Sequence, residues 1–288
     1  MSLWLDMLGT EINFVSTPSF GDIRIAESGK DNKEVIFFQH GINGHLEAYA
    51  KNIIALSKDF HVIAFDYVGH GLSTKKEMNY SPIVLAEQLK ELMDTLGIEK
   101  AHLSGESLGG WTSAHFAAMY PDRVDRLMLN TAAGLPIATE KGKNDLEKLI
   151  ELNKRNINSV PNYQSVEARM HWLMHESNHH LINEELVNLR LGIYLKPETV
   201  KVAPLITKII EKHDDFLIPL HLIKCQTLFL WTEDNPIHDI ETARSASEKI
   251  QGSHVYLMKS KSAHWPQYEA PEEFNEVTTN FFKFGKVE

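Results

Sequence analysis

Residues 101–123, AHLSGESLGGWTSAHFAAMYPDR, set Ser107 between Gly105 and Gly109 in a G-x-S-x-G pattern. A short apolar run precedes it and a helix-like stretch closed by Pro121 follows. This order of strand, sharp turn and helix holds a serine at a strained bend that glycines on both sides make sterically possible. Ser107 is therefore expected at the end of a strand, with its hydroxyl available for chemistry. The rest of the chain repeats the alternation. VIFFQH (35–40), HVIAFD (61–66), VDRLMLN (124–130), CQTLFLW (225–231) and HVYLMK (254–259) read as strands. Helical spacing is read at 47–58, 82–96 and 271–284. Unbroken apolar runs suit strands buried on both faces, so the fold class expected is α/β, with a parallel sheet covered by helices on both faces.

Between 135 and 219 the β-branched runs vanish, and stretches such as LEKLIELNKRNI carry helical spacing. The expected organisation is a core in two parts, 1–134 and 220–288, with a helical insertion at 135–219 lying over it as a cap. The chain has 288 residues, 43% hydrophobic and 24% charged, which excludes disorder, collagen and coiled coil. Its net charge of −10 repels phosphates, so neither nucleic acid nor an anionic membrane is expected as a partner. The single cysteine, Cys225, has no internal disulfide partner and sits in an apolar run as a small hydrophobe. The opening residues MSLWLDMLGTEINF carry Asp6 and no basic residue ahead of their apolar positions, unlike a secretory signal. No apolar run approaches the roughly 18 residues needed to span a bilayer. A soluble, cytoplasmic protein is the expectation, with its oligomeric state open, a homo-oligomer included.

A serine hydroxyl becomes a nucleophile when a base takes its proton, and that base must be held in one tautomer by a third group. His264, in SAHWPQYE between the last strand and the last helix, is the expected base. Asp234, directly after the strand at 225–231, is the expected acid, with Glu233 and Asp239 as competitors. The oxyanion would be met by the backbone N–H groups of Leu108, after the serine, and Ile42, after His40-Gly41. His171, His175 and His179 follow i, i+4, i+8 spacing, but no H-E-x-x-H acid accompanies them, so neither metal nor cofactor is expected.

With the His-Gly turn, the D-x-x-G-H-G-x-S segment (66–73), the G-E-S-L-G bend, Asp234 and His264 in this order, the chain resembles the α/β-hydrolases over nearly its whole length. That resemblance implies a mostly parallel eight-stranded sheet, a helical cap after strand six, a Ser107-Asp234-His264 triad and a structural role for Asp66. Two stretches, HWPQYEAPEEFNEV and INEELVNLRLGIYLKPETV, resemble the meta-cleavage product hydrolases, which split a carbon-carbon bond in ring-opened aromatic catabolites. The resemblance implies that Arg190 grips a substrate carboxylate, a role suited to a bidentate guanidinium. The alternative for Arg190 is a helix-face pair with Glu184 or Glu185. Two departures stand out. Ile42-Asn43-Gly44-His45 replaces a glycine-rich turn, and Glu106 replaces the usual asparagine before the nucleophile. Arg190, Trp265, Asn43, Glu106 and Trp172 are the expected substrate contacts, with Met170, Leu173 and Met174 lining the pocket. The expected function is cofactor-free hydrolysis of a small carbonyl substrate, most like a carboxylate-bearing dienoate. A carboxylesterase acting on small esters or lactones is the alternative, and a hydrolase-fold ligand receptor a further one.

Overall fold

A computed structural model describes residues 2–156 and 159–287; residues 157 and 158, inside the expected helical insertion, lie outside the described residues. Eight strands form one sheet: β1 (Glu11–Thr17), β2 (Gly21–Ser28), β3 (Val35–Gln39), β4 (His61–Phe65), β5 (Ala101–Glu106), β6 (Val124–Asn130), β7 (Gln226–Trp231) and β8 (His254–Leu257). Their spatial order is β1-β2-β4-β3-β5-β6-β7-β8. The pairings β1·β2 and β2·β4 are antiparallel and all others parallel. The longer helices are α1 (Pro82–Thr95), α2 (Leu108–Met119), α3 (Glu140–Asn156), α4 (Tyr163–Leu173), α5 (Glu184–Tyr194), α6 (Pro197–Glu211), α7 (Ile240–Ser247) and α8 (Pro271–Phe284).

Successive residues of a strand point to opposite faces, and here both faces are buried. Phe37, Ile63, Leu103, Leu127 and Phe229 pack with Leu89 of α1 and Phe116 of α2 on one side. Ile36, Phe38, Val62, Met128 and Leu228 pack with Phe274 and Phe281 of α8 on the other. This double burial is why the strands read as continuous apolar runs. Between β6 and β7 every described element is helical, from α3 through α6. Val166, Met170, Leu173 and Met174 join Leu186, Val187 and Trp265 in a third apolar cluster there.

Two local readings need correction. The helix expected over 47–58 is a 3₁₀ turn at Leu46–Tyr49 and a short helix at Ile53–Leu56. Glu47 turns inward to the buried Arg24 guanidinium at 2.8 Å, and Asp66 accepts the Leu46 N–H at 2.8 Å, so the chain is tied down where a longer helix would have to run. The helix carrying His171 stops at Leu173, whose carbonyl accepts the His264 N–H at 2.9 Å. His175 and His179 therefore do not continue its face. Among the described residues no cluster of three or more His, Cys, Asp or Glu could hold a metal, and no helix is long and apolar enough to cross a membrane.

Candidate active site

Ser107 sits between β5 and α2 at φ 54°, ψ −112°, a conformation L-residues rarely adopt. Such backbone strain costs on the order of 1–3 kcal/mol and persists only where neighbours enforce it. Here they do: the Ser107 N–H donates to Asn130 O at 3.1 Å, and Ser107 O accepts from Trp111 N at 3.0 Å and Ala133 N at 3.1 Å. The flanking glycines are needed for space. A Cβ on Gly105 would lie 2.1 Å from the Gly109 carbonyl carbon, and one on Gly109 would lie 2.0 Å from Gln39 O. The bend is thus wedged against β3.

The His264 ring is buried beside this bend. Its loop is pinned by Glu269, whose Oε1 accepts from Ala263 N at 2.9 Å and Trp265 N at 3.1 Å, one residue to each side of His264. Glu269 Oε2 accepts from His175 N at 2.7 Å and Asn178 Nδ2 at 3.0 Å, tying that loop to the insertion. Sequence reasoning missed Glu269, because nothing distinguishes it from the other acids at the start of a helix.

The acid position differs from the expectation. Asp234 points outward, half exposed, with Oδ2 3.3 Å from His175 Nε2 and 3.8 Å from Lys261 Nζ. It does not meet His264. The competitors fail as well: Glu233 is exposed, and Asp239 caps α7 and accepts from Thr139 Oγ1 at 2.6 Å. The next residue, Asn235, reaches the ring instead, with Oδ1 3.3 Å from His264 Nδ1. The same oxygen accepts from Ile237 N at 3.0 Å and His238 N at 3.1 Å, which fixes which end of the amide faces the histidine. An oxygen held by two backbone donors can only accept, so His264 carries its proton on Nδ1 and Nε2 looks into the site. His238, its ring 5.4 Å from that of His264, is kept neutral because burial, reinforced by the neighbouring histidines, pushes it well below the usual range.

Glu106 lies on the Nε2 side of the His264 ring, opposite Asn235. Its Oε1 lies 3.0 Å from His264 Nε2, and its Oε2 accepts from Gly41 N at 2.8 Å. The Ser107 hydroxyl makes no hydrogen bond among the described residues. Nor do the N–H groups of Ile42 and Leu108, the two expected oxyanion donors, and both residues line the cavity. That cavity lies over Ser107 and His264 and is partly open to solvent. Apolar side chains from α3, α4 and α6 roof it.

Of the expected substrate contacts, Arg190, Trp265 and Glu106 line the cavity, whereas Trp172 and the Asn43 side chain do not. Trp172 is partly exposed, on the outer face of α4. Asn43 contributes its carbonyl, which accepts from Tyr194 Oη at 2.7 Å and Arg190 Nη2 at 3.3 Å. Arg190 is buried, stacks over Trp265 at 4.6 Å, and has no carboxylate partner among the described residues. Glu185, a candidate partner from sequence, is taken up by Ser2 Oγ and Leu3 N. A second guanidinium, Arg169 of α4, lines the same cavity without hydrogen bond or ion pair among the described residues. Burial, with Arg190 adding to it, lowers its pKa. Nothing in the sequence distinguishes it from the other basic residues between 135 and 219.

Known proteins share this architecture. The family described as alpha/beta hydrolase fold matches residues 34–271. The chain is 27% identical over 282 residues to a 2-hydroxy-6-oxo-6-phenylhexa-2,4-dienoate hydrolase of Comamonas testosteroni, covering 93% of this chain and 94% of that one. It is also 27% identical over 295 residues to a 2-hydroxy-6-oxononadienedioate/2-hydroxy-6-oxononatrienedioate hydrolase of the same organism, covering 96% and 100%. Among solved structures, the meta-cleavage product hydrolase of Pseudomonas fluorescens IP01 is similar in fold, with a TM-score of 0.80 at 23% identity over 97% of this chain and all of that one. A thermophilic esterase from Thermogutta terrifontis gives a TM-score of 0.73 at 22% identity over 95% of this chain and 98% of that one.

Proposed function

The chain belongs to the alpha/beta hydrolase fold family, and from that premise we propose that it is a cofactor-free serine hydrolase acting on a small carbonyl compound that bears a carboxylate. The observation that carries the carboxylate is the pair of guanidiniums, Arg169 and Arg190, which line the cavity over Ser107 beside a single carboxylate, Glu106, with no ion pair to either guanidinium among the described residues. A charge taken out of water is costly unless an opposite charge meets it, so two such groups in one cavity favour an anionic ligand. The relatives' names support the same class, since both describe hydrolases of 2-hydroxy-6-oxo dienoates.

In this reading the insertion acts as a cap that closes over the substrate. Ser107 attacks the carbonyl carbon, and its proton passes to His264. The N–H groups of Ile42 and Leu108 meet the oxygen on which charge develops, a contribution of about 3 kcal/mol per donor in other enzymes. For a carbon-carbon bond to break, the dienol must first become a ketone, so that the electrons of the broken bond have a carbonyl to enter. His264 is the group placed to move that proton.

The decisive comparison is turnover of a 2-hydroxy-6-oxo-6-phenylhexa-2,4-dienoate against its methyl ester and against p-nitrophenyl acetate, in wild type and Arg190→Gln. Dienoate cleavage that disappears in Ser107→Ala, with KM raised about tenfold or more in Arg190→Gln, is expected from the loss of one charge-assisted contact. A second reading, a carboxylesterase for neutral esters, is favoured by one observation: the Glu106 carboxylate lines the same cavity and would repel an anion. Nitrophenyl ester hydrolysis without any dienoate cleavage selects that reading.

A further inference from the structure

We propose that Glu106, the residue before the nucleophile, supplies the carboxylate that the loop after β7 does not bring to His264. The inference rests on the serine-hydrolase reading and concerns its proton chemistry. In the usual arrangement an acid meets the histidine at Nδ1 and stabilises the imidazolium formed when the serine gives up its proton. Here an amide, Asn235, stands at Nδ1, and its orientation is locked by two backbone donors. It fixes the tautomer but carries no charge. The carboxylate that touches the ring is Glu106, on the Nε2 side at 3.0 Å, and both groups are buried.

The seat for this carboxylate is built into the fold. Oε2 is held by the Gly41 N–H, and a Cβ at residue 41 would lie 2.6 Å from Oε2 and 2.7 Å from Oε1, so a side chain there would displace the carboxylate from this position. At 3.0 Å a protonated Nε2 donates a hydrogen bond to this carboxyl oxygen. That contact is the geometry of the imidazolium after proton transfer. With His264 neutral and Glu106 ionised, the Ser107 O–H bond breaks as Oγ bonds the carbonyl carbon. The proton goes to His264 Nε2, and the charge so formed is offset by Glu106 Oε1 while Nδ1–H stays on Asn235. The same proton later leaves Nε2 for the departing group, and Glu106 remains an anion throughout. Glu106 is thus a positioning residue, acting through His264.

Relocating the charge tests this. Glu106→Gln keeps the shape and an acceptor for Gly41, and Glu106→Asp keeps the charge but withdraws it by one methylene; either suffices if the other does not fold. Each is expected to lower kcat for p-nitrophenyl acetate by about 100-fold, with KM within about threefold, because the anion beside the imidazolium is removed or withdrawn while the neutral ester's binding does not depend on it. Adding Asn235→Asp to either variant, which returns a carboxylate to Nδ1, is expected to restore kcat at least about tenfold. A purely structural role for Glu106 gives no such rescue and overturns the proposal. So does a Glu106→Gln enzyme as fast as wild type. Wild-type protein without any Ser107-dependent turnover would instead sink the serine-hydrolase reading itself, an outcome these variants cannot mimic.

Discussion

Ser107 combines two demands in one residue: a hydroxyl for chemistry and a backbone conformation that favours glycine. Ser107→Gly is therefore expected to abolish turnover while raising stability by about 1 kcal/mol, the strain relieved outweighing the extra freedom glycine has when unfolded. Denaturant midpoints of the two proteins check this, and a lower midpoint for the glycine variant would mean the bend is unstrained. Glu269→Gln is expected to lose about 3 kcal/mol of stability, since one amide end would face N–H donors that a carboxylate now accepts. kcat should fall with it as the His264 loop loosens. At this scale the sequence was legible where a motif or a position in the element order isolates one residue, as for Ser107 and His264. It was not legible where several equivalent groups crowd one loop. Glu233, Asp234 and Asp239 look alike in the sequence, and only the turn held by the Asn235 side chain decides that residue 235 faces the ring. Arg169 and Glu269 carry no signal at all until the helices and loops are folded over the cavity.

Elements place these residues through close contact. Because a Cβ on Gly109 would lie 2.0 Å from Gln39 O, Gly109→Ala should push α2 off β3 and destabilise the protein by more than about 3 kcal/mol. Gly192 in α5 offers the control, since a Cβ there meets nothing within 4 Å, and Gly192→Ala should add up to about 1 kcal/mol from helix propensity. Thermal melts of the two variants shifting in the same direction would contradict this account of the elbow. Strands β3 to β7 were readable because burial on both faces leaves unbroken apolar runs, and the edge strand β8, with no fully buried residue, from its Val255-Tyr256-Leu257 run. β1 and β2 were expected only through family resemblance. Ile12 and Phe14 of the edge strand β1 are exposed, whereas β2 is buried on both faces but Asp22, Arg24 and Glu27 break its apolar run. The helix read at 47–58 failed for a different reason: its apolar spacing is real, but Glu47 belongs to a buried ion pair with Arg24, which periodicity does not reveal.

Across the whole molecule, buried histidines set the response to acid. Burial lowers His40 and His102 to about 4 and holds His70 and His238 well below their usual range. These groups stay neutral in the folded protein while the unfolded chain takes up protons as pH falls below 6.5. Stability is therefore expected to be flat above that value and to decline between about 6.5 and 4. His40 and His102 contribute roughly 3 kcal/mol each over that span. Denaturant midpoints from pH 7.5 to 4.5 measure this, and an unchanging midpoint would show that these side chains are solvated. The most direct test of the central claim, a strained serine activated by His264, is mass spectrometry of the folded protein after exposure to a fluorophosphonate. The account expects one adduct, on Ser107, absent in Ser107→Ala and formed at least about 100-fold more slowly in His264→Ala. No adduct on the wild-type protein, or equal labelling rates with and without His264, would contradict it.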